Sequence, residues 1–418
     1  MFNRMMISFA TALALAGSTL AQTPEETPQP TPIQPPPEAS APEPEPAPGP
    51  APAAETEQQP EPRPSLRFWV TGDLMYGWFS GDTLPTLVTT SPVGTARGVA
   101  GVLGAASTNT LFGNRVVNGD LRAGLHLGAG YWLNDEHTSG IEAGFMMLES
   151  QAAIFAASST ATPILARPFF NLGTGRADVS LIAFPGNSTG SVYVRAESNN
   201  FYEAHLDYSE SICNAGWFRL DALVGYRFYR NDEGLRIRGT SLPTNGNFVA
   251  GTQLVTEDDF NTTNEFHGGE LGVRTQFNRG DFELGLLSKV AVGVVYRDVN
   301  IAGNQLVTVP GVAPVNQLGG VYALSSNSGP HSSSDWTTMP EFGANLSWRA
   351  NANTRVNLGY SVFGLDQIAR AADQVDTTIN PVLLPPAGPL TGQNRPAFNL
   401  SRSDMWVQTL NLGLEFHY

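Results

Sequence analysis

The residues able to do chemistry are few and scattered. Six histidines occur, His126, His137, His205, His267, His331 and His417, and no two stand at a spacing that would bring them to one metal ion. The chain holds no GxSxG, no HExxH and no phosphate-cradling glycine loop, the short arrangements that mark many hydrolases and nucleotide enzymes. His205 lies between Glu203 and Asp207 at alternate positions, which on a strand puts all three on one face. Such a trio has the groups to move a proton or hold a metal, but it reads more simply as a hydrogen-bonded polar row. "TEDDFNTTNEF" offers Asp258, Asp259, Asn261 and Glu265, oxygen ligands of the type that bind calcium, at a spacing that matches no calcium loop. The stretch is expected to be a solvated acidic loop. One cysteine, Cys213, excludes an internal disulfide framework. No catalytic, metal or cofactor-binding residue is therefore expected.

The chain is instead rich in charge placed at every second position among apolar residues. Arg122 and His126 alternate with leucines in "LRAGLHLGAGYWL", and Glu142 with Ile141 and Phe145 in "GIEAGFMML". Glu203, His205 and Asp207 face away from Tyr202, Leu206 and Tyr208, while Arg219, Asp221 and Arg227 alternate within "WFRLDALVGYRFY". Glu270 and Arg274 recur in "EFHGGELGVRTQF", Glu283 and Lys289 in "DFELGLLSKVAVGVVYRDV", and Glu341, Asn345 and Arg349 in "MPEFGANLSWR". Arg355 in "RVNLGYSVF" and Glu415 in "WVQTLNLGLEFHY" complete the set. Period-two alternation means strands with one greasy and one wet face. With "RFWVTGDLMYGWF" the count is about ten, or twelve if the long loops conceal two more.

The spacing of these strands decides between a soluble sandwich and a membrane barrel. Long polar or Gly/Pro/Asn/Thr-rich stretches follow every odd-numbered strand, roughly residues 80–120, 150–190, 230–263, 300–337 and 365–403, whereas the even ones end in short turns such as "NRG" and "ANAN". This alternation is that of a transmembrane antiparallel up-and-down β-barrel with long extracellular loops and short periplasmic turns. The charged set then faces the lumen and the apolar rows face lipid. An even count puts both termini on the periplasmic side.

Bulk properties agree. Residues 1–21 have the Arg4 start, apolar middle and small-residue end of a signal peptide. Residues 22–64, rich in Pro and Glu without an aromatic, form a disordered, extended acidic spacer, able to reach toward the cell wall. The barrel domain is residues 65–418. Beyond the signal no apolar run reaches the roughly 18 residues of a membrane helix, and a net charge of −15 argues against nucleic acid. Mean hydropathy of −0.14 is ordinary, as expected when lipid-facing and lumen-facing residues alternate.

Several stretches, "FWVTGDLMYGWFSGDTLPTLVTTSP", "GYRFYRNDEGL", "DDFNTTNEFHGGELGV", "KVAVGVVYRDVNIAG", "PEFGANLSWRANANTRVNLGYSVF" and "WVQTLNLGLEFHY", together resemble the outer-membrane beta-barrel porin family seven, over about residues 67–418. The resemblance implies an envelope barrel and passage of small solutes, and it carries no catalytic residues. The leading expectation is a porin-like passive channel for small polar solutes. The alternative is a structural or surface-interaction barrel with a plugged lumen and no conductance; a barrel enzyme has nothing in the sequence for it beyond strand count. Expected partners are outer-membrane lipid and, during biogenesis, the barrel-assembly machinery. For the latter the C-terminal row Leu410, Leu412, Leu414, Phe416 and Tyr418 resembles the assembly signal. In a barrel as narrow as ten strands, facing lumen charges are expected either to pair into a plug or, in a wider one, to set ion selectivity.

Overall fold

The computed structural model describes residues 67–418; the expected signal peptide and spacer lie outside the described residues. The alternating segments form strands that pair antiparallel in one closed ring. Its members are β1 (Phe68–Phe79), β2 (Arg122–Trp132), β3 (Ser139–Leu148), β4 (Ser188–Asn214), β5 (Phe218–Pro243), β6 (Gln253–Arg279), β7 (Phe282–Thr308), β8 (Gly329–Arg349), β9 (Thr354–Ile368) and β10 (Ser403–His417). Neighbours in sequence are neighbours in the ring, and β10 closes on β1 in the register Val70↔Phe416 and Leu74↔Leu412. Closure leaves no open edge, the condition for strands to cross hydrocarbon. No helix among the described residues is long and apolar enough to cross a membrane.

The outer face is the greasy one. Leu74, Leu206, Leu271, Leu358 and Leu412 are exposed, as are Leu410, Leu414, Phe416 and Tyr418 of the last row. The apolar band ends on β5, β6 and β7 in an aromatic cluster where Tyr226, Phe228 and Tyr296 surround His267 at 5.1–6.3 Å between ring centres. Past this level the outer face turns polar, with Glu265, Asp259, Asp298 and Asn300, as at the edge of a bilayer.

The ring is not of even height. β1, β2 and β3 run 10–12 residues, near the length needed to span hydrocarbon, but β4 to β7 run 26 or 27. The tall wall is built from stretches the sequence suggested were loops: much of 230–263 and 300–337 is strand. A bulge between Asn199 and Tyr202, with Asn200 at φ 48°, divides β4. Below it β4 pairs with β3; above it β4 pairs with the short strand Gln151–Ser158, which lies end to end with β3.

The remaining long loops are folded as well. Val88–Thr90, Asn109–Phe112, Leu165–Asn171, Arg176–Ala183 and Thr378–Ile379 form a second, smaller sheet. With 320–324 this cap packs on the inward face of the tall wall, where Leu87, Phe112, Leu165, Phe169 and Tyr322 share a core with Val194, Ile237, Phe260 and Ile301. Asp258 pins it. The carboxylate accepts the amides of Val321, Tyr322 and Ala323 at 2.7–2.9 Å and pairs with buried Arg167 at 2.5 Å, whose guanidinium lies over the Tyr322 ring. "TEDDFNTTNEF" is thus a strand of β6 and not an acidic loop. Asp258 points in, while Asp259 and Glu265 point out to Arg236 and Arg230.

Candidate functional site

Inside the ring, three layers succeed one another from the short-turn end to the cap. The first is a chamber of about 890 Å³ that opens among the turns at Asn214–Gly216, Asn278–Gly280 and Asn351–Ala352. It is lined by fifteen of the residues expected in the lumen: His126, Glu142, Glu203, His205, Arg219, Asp221, Arg227, Arg274, Glu283, Lys289, Glu341, Asn345, Arg349, Arg355 and Glu415. The deepest cations are held within the wall of β3 to β8. Arg227 reaches Glu203 at 3.0 Å, Glu270 at 3.4 Å and also Glu341; Lys289 bridges Asp207 and Glu270, the latter at 3.2 Å. Arg274 grips Glu142 with two parallel bonds, one of them 2.9 Å, the fork geometry that makes arginine–carboxylate pairs strong. Asp207 and Glu270 are so deep in this network that they do not reach the chamber surface. His205 bonds Glu203 at 3.2 Å and sits in the same wall, so the trio singled out in the sequence is a member of a charge network.

The second layer is one the sequence reading did not contain. Met75, Phe79, Met146, Leu148, Phe201, Tyr229, Phe266, Val295, Met339, Phe363, Met405 and Val407 are buried together on the inward face, with residues from nine of the ten strands. Phe201 is the hub, 4.6 Å from Phe79, 5.4 Å from Tyr229 and 6.2 Å from Phe363. Two glycines make room on the side of β1 and β2. A Cβ on Gly77 or Gly124 would come within 2.8 and 2.4 Å of the Leu148 methyls. The sequence left open a plug of paired charges or an ion-selective path; in the structure charges line the lumen and apolar side chains close it. On β1 and β3 the layer residues Met75 and Met146 alternate with the exposed Leu74, Tyr76, Phe145 and Met147, so both faces are greasy there and the alternation that located the charges vanishes.

Above this layer lies the third, a small buried polar cluster beneath the cap. Arg122 stands here and not in the chamber, its guanidinium 4.1 Å from the Phe79 ring and bonded to Ser198 and the Asn118 carbonyl. Arg370, from the segment after β9, pairs with Glu233 at 3.2 Å and donates to the carbonyls of Ser80 and Gly81 at 2.8 and 2.7 Å. Burial, with the Glu233 carboxylate nearby, pushes the Asp82 carboxyl up to about 7 against the pull of Arg370. Among the described residues no group of His, Cys, Asp and Glu converges as a metal site would.

Trp69, Asp73, Trp132, Asn357 and Asn411 also line the chamber and were not among the expected site residues, although Asp73, Asn357 and Asn411 lie on the wet face of their strands by alternation alone. Trp69 and Trp132 give no signal, because an aromatic on the inward face reads like one on the lipid face. Asp73 Oδ2 bonds His126 Nδ1 at 2.7 Å.

A closed antiparallel ring with a lipid-type outer face and a folded cap is the setting for the comparisons. The family described as Putative beta barrel porin-7 (BBP7) matches residues 69–418. The chain belongs to that family. The match covers all ten ring strands except Phe68. No curated protein matches. Among solved structures, the outer membrane protease OmpT of Escherichia coli is similar at 12% identity over 84% of this chain and 97% of that one, with a TM-score of 0.39. The toluene transporter TodX of P. putida follows at 7% identity over 84% and 90%, TM-score 0.20. At these scores neither the protease nor the transporter lends this family member an activity. The outer membrane is the location that the family and the barrel share.

Proposed function

We propose that this porin-family barrel is closed at rest and works as a structural or surface-interaction barrel, presenting its folded cap outside the cell. The observation that carries the reading is the apolar layer, contributed by nine strands and centred on Phe201. Ions do not cross such a layer without wetting it, and hydrophobic constrictions are a known way to gate by dewetting. In this reading the short turns and both termini face the periplasm, the spacer reaches toward the cell wall, and the barrel catalyses no reaction and binds no cofactor.

The chamber favours a second reading. Its polar lining suits a gated channel for small polar solutes, entered from the short-turn end. One experiment separates them: reconstitution of the mature protein in a planar bilayer and recording of single-channel currents. A folded, heat-modifiable barrel without steps supports the closed barrel; stable ohmic steps at low voltage would sink it in favour of a passive pore. Assembly is tested separately. If the last row is the assembly signal, deletion of Tyr418 leaves the protein in the periplasm, and normal insertion refutes that role.

A further inference from the structure

The two walls of the chamber differ, and the difference points to a ligand. The β3–β8 wall carries a network in which every cation is paired, yet its five deep carboxylates, Glu142, Glu203, Asp207, Glu270 and Glu341, exceed the three cations Arg227, Arg274 and Lys289. Facing it, the β9–β10–β1 wall holds Arg355 and Glu415, paired with each other at 3.5 Å toward the short turns, and farther in only amides, glycines and the carboxylate of Asp73. Asp73 and Asn357 flank Gly413 on adjacent strands, both registered against it, and Asn411 stands two residues along β10 on the same face. Asp73 and Asn357 are each only 6% exposed, and Asp73 Oδ1, Asn357 Oδ1 and Asn411 Oδ1 are buried oxygens without a hydrogen-bond partner. Gly413 gives Asp73 its position: a Cβ there would stand 1.9 Å from Asp73 Oδ1.

Buried acceptors without donors are costly, and three of them on adjoining rungs want three donors. The surrounding surplus of negative charge asks that those donors carry positive charge. A primary ammonium group has three N–H donors and no acceptor. A metal ion would call for several converging carboxylates, and with Glu415 held by Arg355 and His417 this wall leaves only Asp73. We propose that the chamber is a binding site for a small organic ammonium ion, entering from the short-turn end and held by Asp73, Asn357 and Asn411 beneath the apolar layer. The site requires no conduction, so it stands whichever reading of the barrel's function holds.

The test is calorimetric titration of the full-length detergent-solubilised barrel with n-butylammonium, and with n-butanol and butyrate as uncharged and anionic counterparts. Saturable heat with the ammonium ion and none with the other two is expected. Asp73→Asn, nearly isosteric, and Asn357→Ala should each weaken binding at least tenfold, with heat-modifiability showing that both fold. Absence of saturable heat, equal response to butanol, or undiminished binding in both folded variants would overturn the proposal. So would displacement of butylammonium by magnesium at lower concentration, which would make the site one for an inorganic cation.

Discussion

The lumen of this barrel is filled by opposite means at its two ends. Toward the short turns, side chains of the ring pair as ions within one wall of a chamber; toward the long loops, the tall wall and its cap close on a continuous apolar core. Both fillings hang on the same alternating strands, so wall geometry does not dictate contents. What differs is the outer neighbour. Where the outside is lipid, charge is confined to the inward face. Where the outside is polar, the inward face is free to be as apolar as any soluble core, and the cap supplies the second surface that such a core needs.

If the cap half is a soluble-type core pinned to the wall, its weakest point is the one buried charge it depends on. Asp258→Ala leaves Arg167 buried without its partner and frees three backbone amides. Loss of one member of a buried pair costs about 3–5 kcal/mol. The cap strands Leu165–Asn171 and the 320–324 segment should then exchange amide hydrogens far faster while the chamber half keeps its protection. Uniform protection across both halves would mean that Asp258 is not what holds the cap.

The apolar layer is the boundary, and removing its hub tests whether it is also the seal. Phe201→Ala should destabilise the barrel by about 3 kcal/mol, the low end for losing a buried phenyl ring, because neighbouring methionines are able to fill part of the gap. Combined with Phe363→Ala it should admit water and raise conductance from none to discrete steps. A doubly substituted, folded barrel that still passes no current would move the seal up into the cap.

Much of this was legible in the sequence. Strand identity, ring closure and the lumen charges followed from period-two alternation, since lipid forces the apolar residues outward. The apolar layer was not, because Met75 and Met146 alternate with residues equally greasy and leave no period to read, and Phe201 stands beside the bulge that resets the phase of its strand. Strand β4 hid its phase in another way. Val192, Val194 and Ala196 face in at even positions, Phe201, Glu203 and Asp207 at odd ones, and the bulge at Asn200 between them has no compositional mark. The tall wall was obscured for the same physical reason as the cap: above the lipid its outer face is Glu, Asp and Thr, which in sequence reads as loop.

A smaller effect tests the polar cluster at the foot of the cap. Asp82, buried with Glu233, Arg370 and Asp373 around it, holds its proton up to about pH 7 in the fold against an ordinary 3.8. Between those values the folded cap binds more protons than the unfolded chain, so stability falls as pH rises through the window. The cap should melt higher at pH 5 than at pH 8, and Asp82→Asn should flatten the difference. A cap that gains stability on going from pH 5 to pH 8 would reverse the sign and discard this assignment.

The least effect is expected one residue from the greatest. Asp259 follows Asp258 on β6 but points outward, where Arg236 meets it at 2.6 Å and Glu257 at 3.2 Å with the arginine side chain 57% exposed. Solvent screens that pair, and holding two long side chains together offsets most of the attraction, leaving about 0.2–1 kcal/mol. Arg236→Ala should therefore leave cap protection and melting unchanged within that range, and high salt should erase even the remainder. A loss approaching that of Asp258→Ala would show that the outer face of the tall wall is covered, by the long sugars of the envelope or by a second protein, because only exclusion of water makes so exposed a pair strong. The alternation of a single strand thus sets the scale: the same carboxylate, turned by one residue, passes from the pin of a core to a charge in solution.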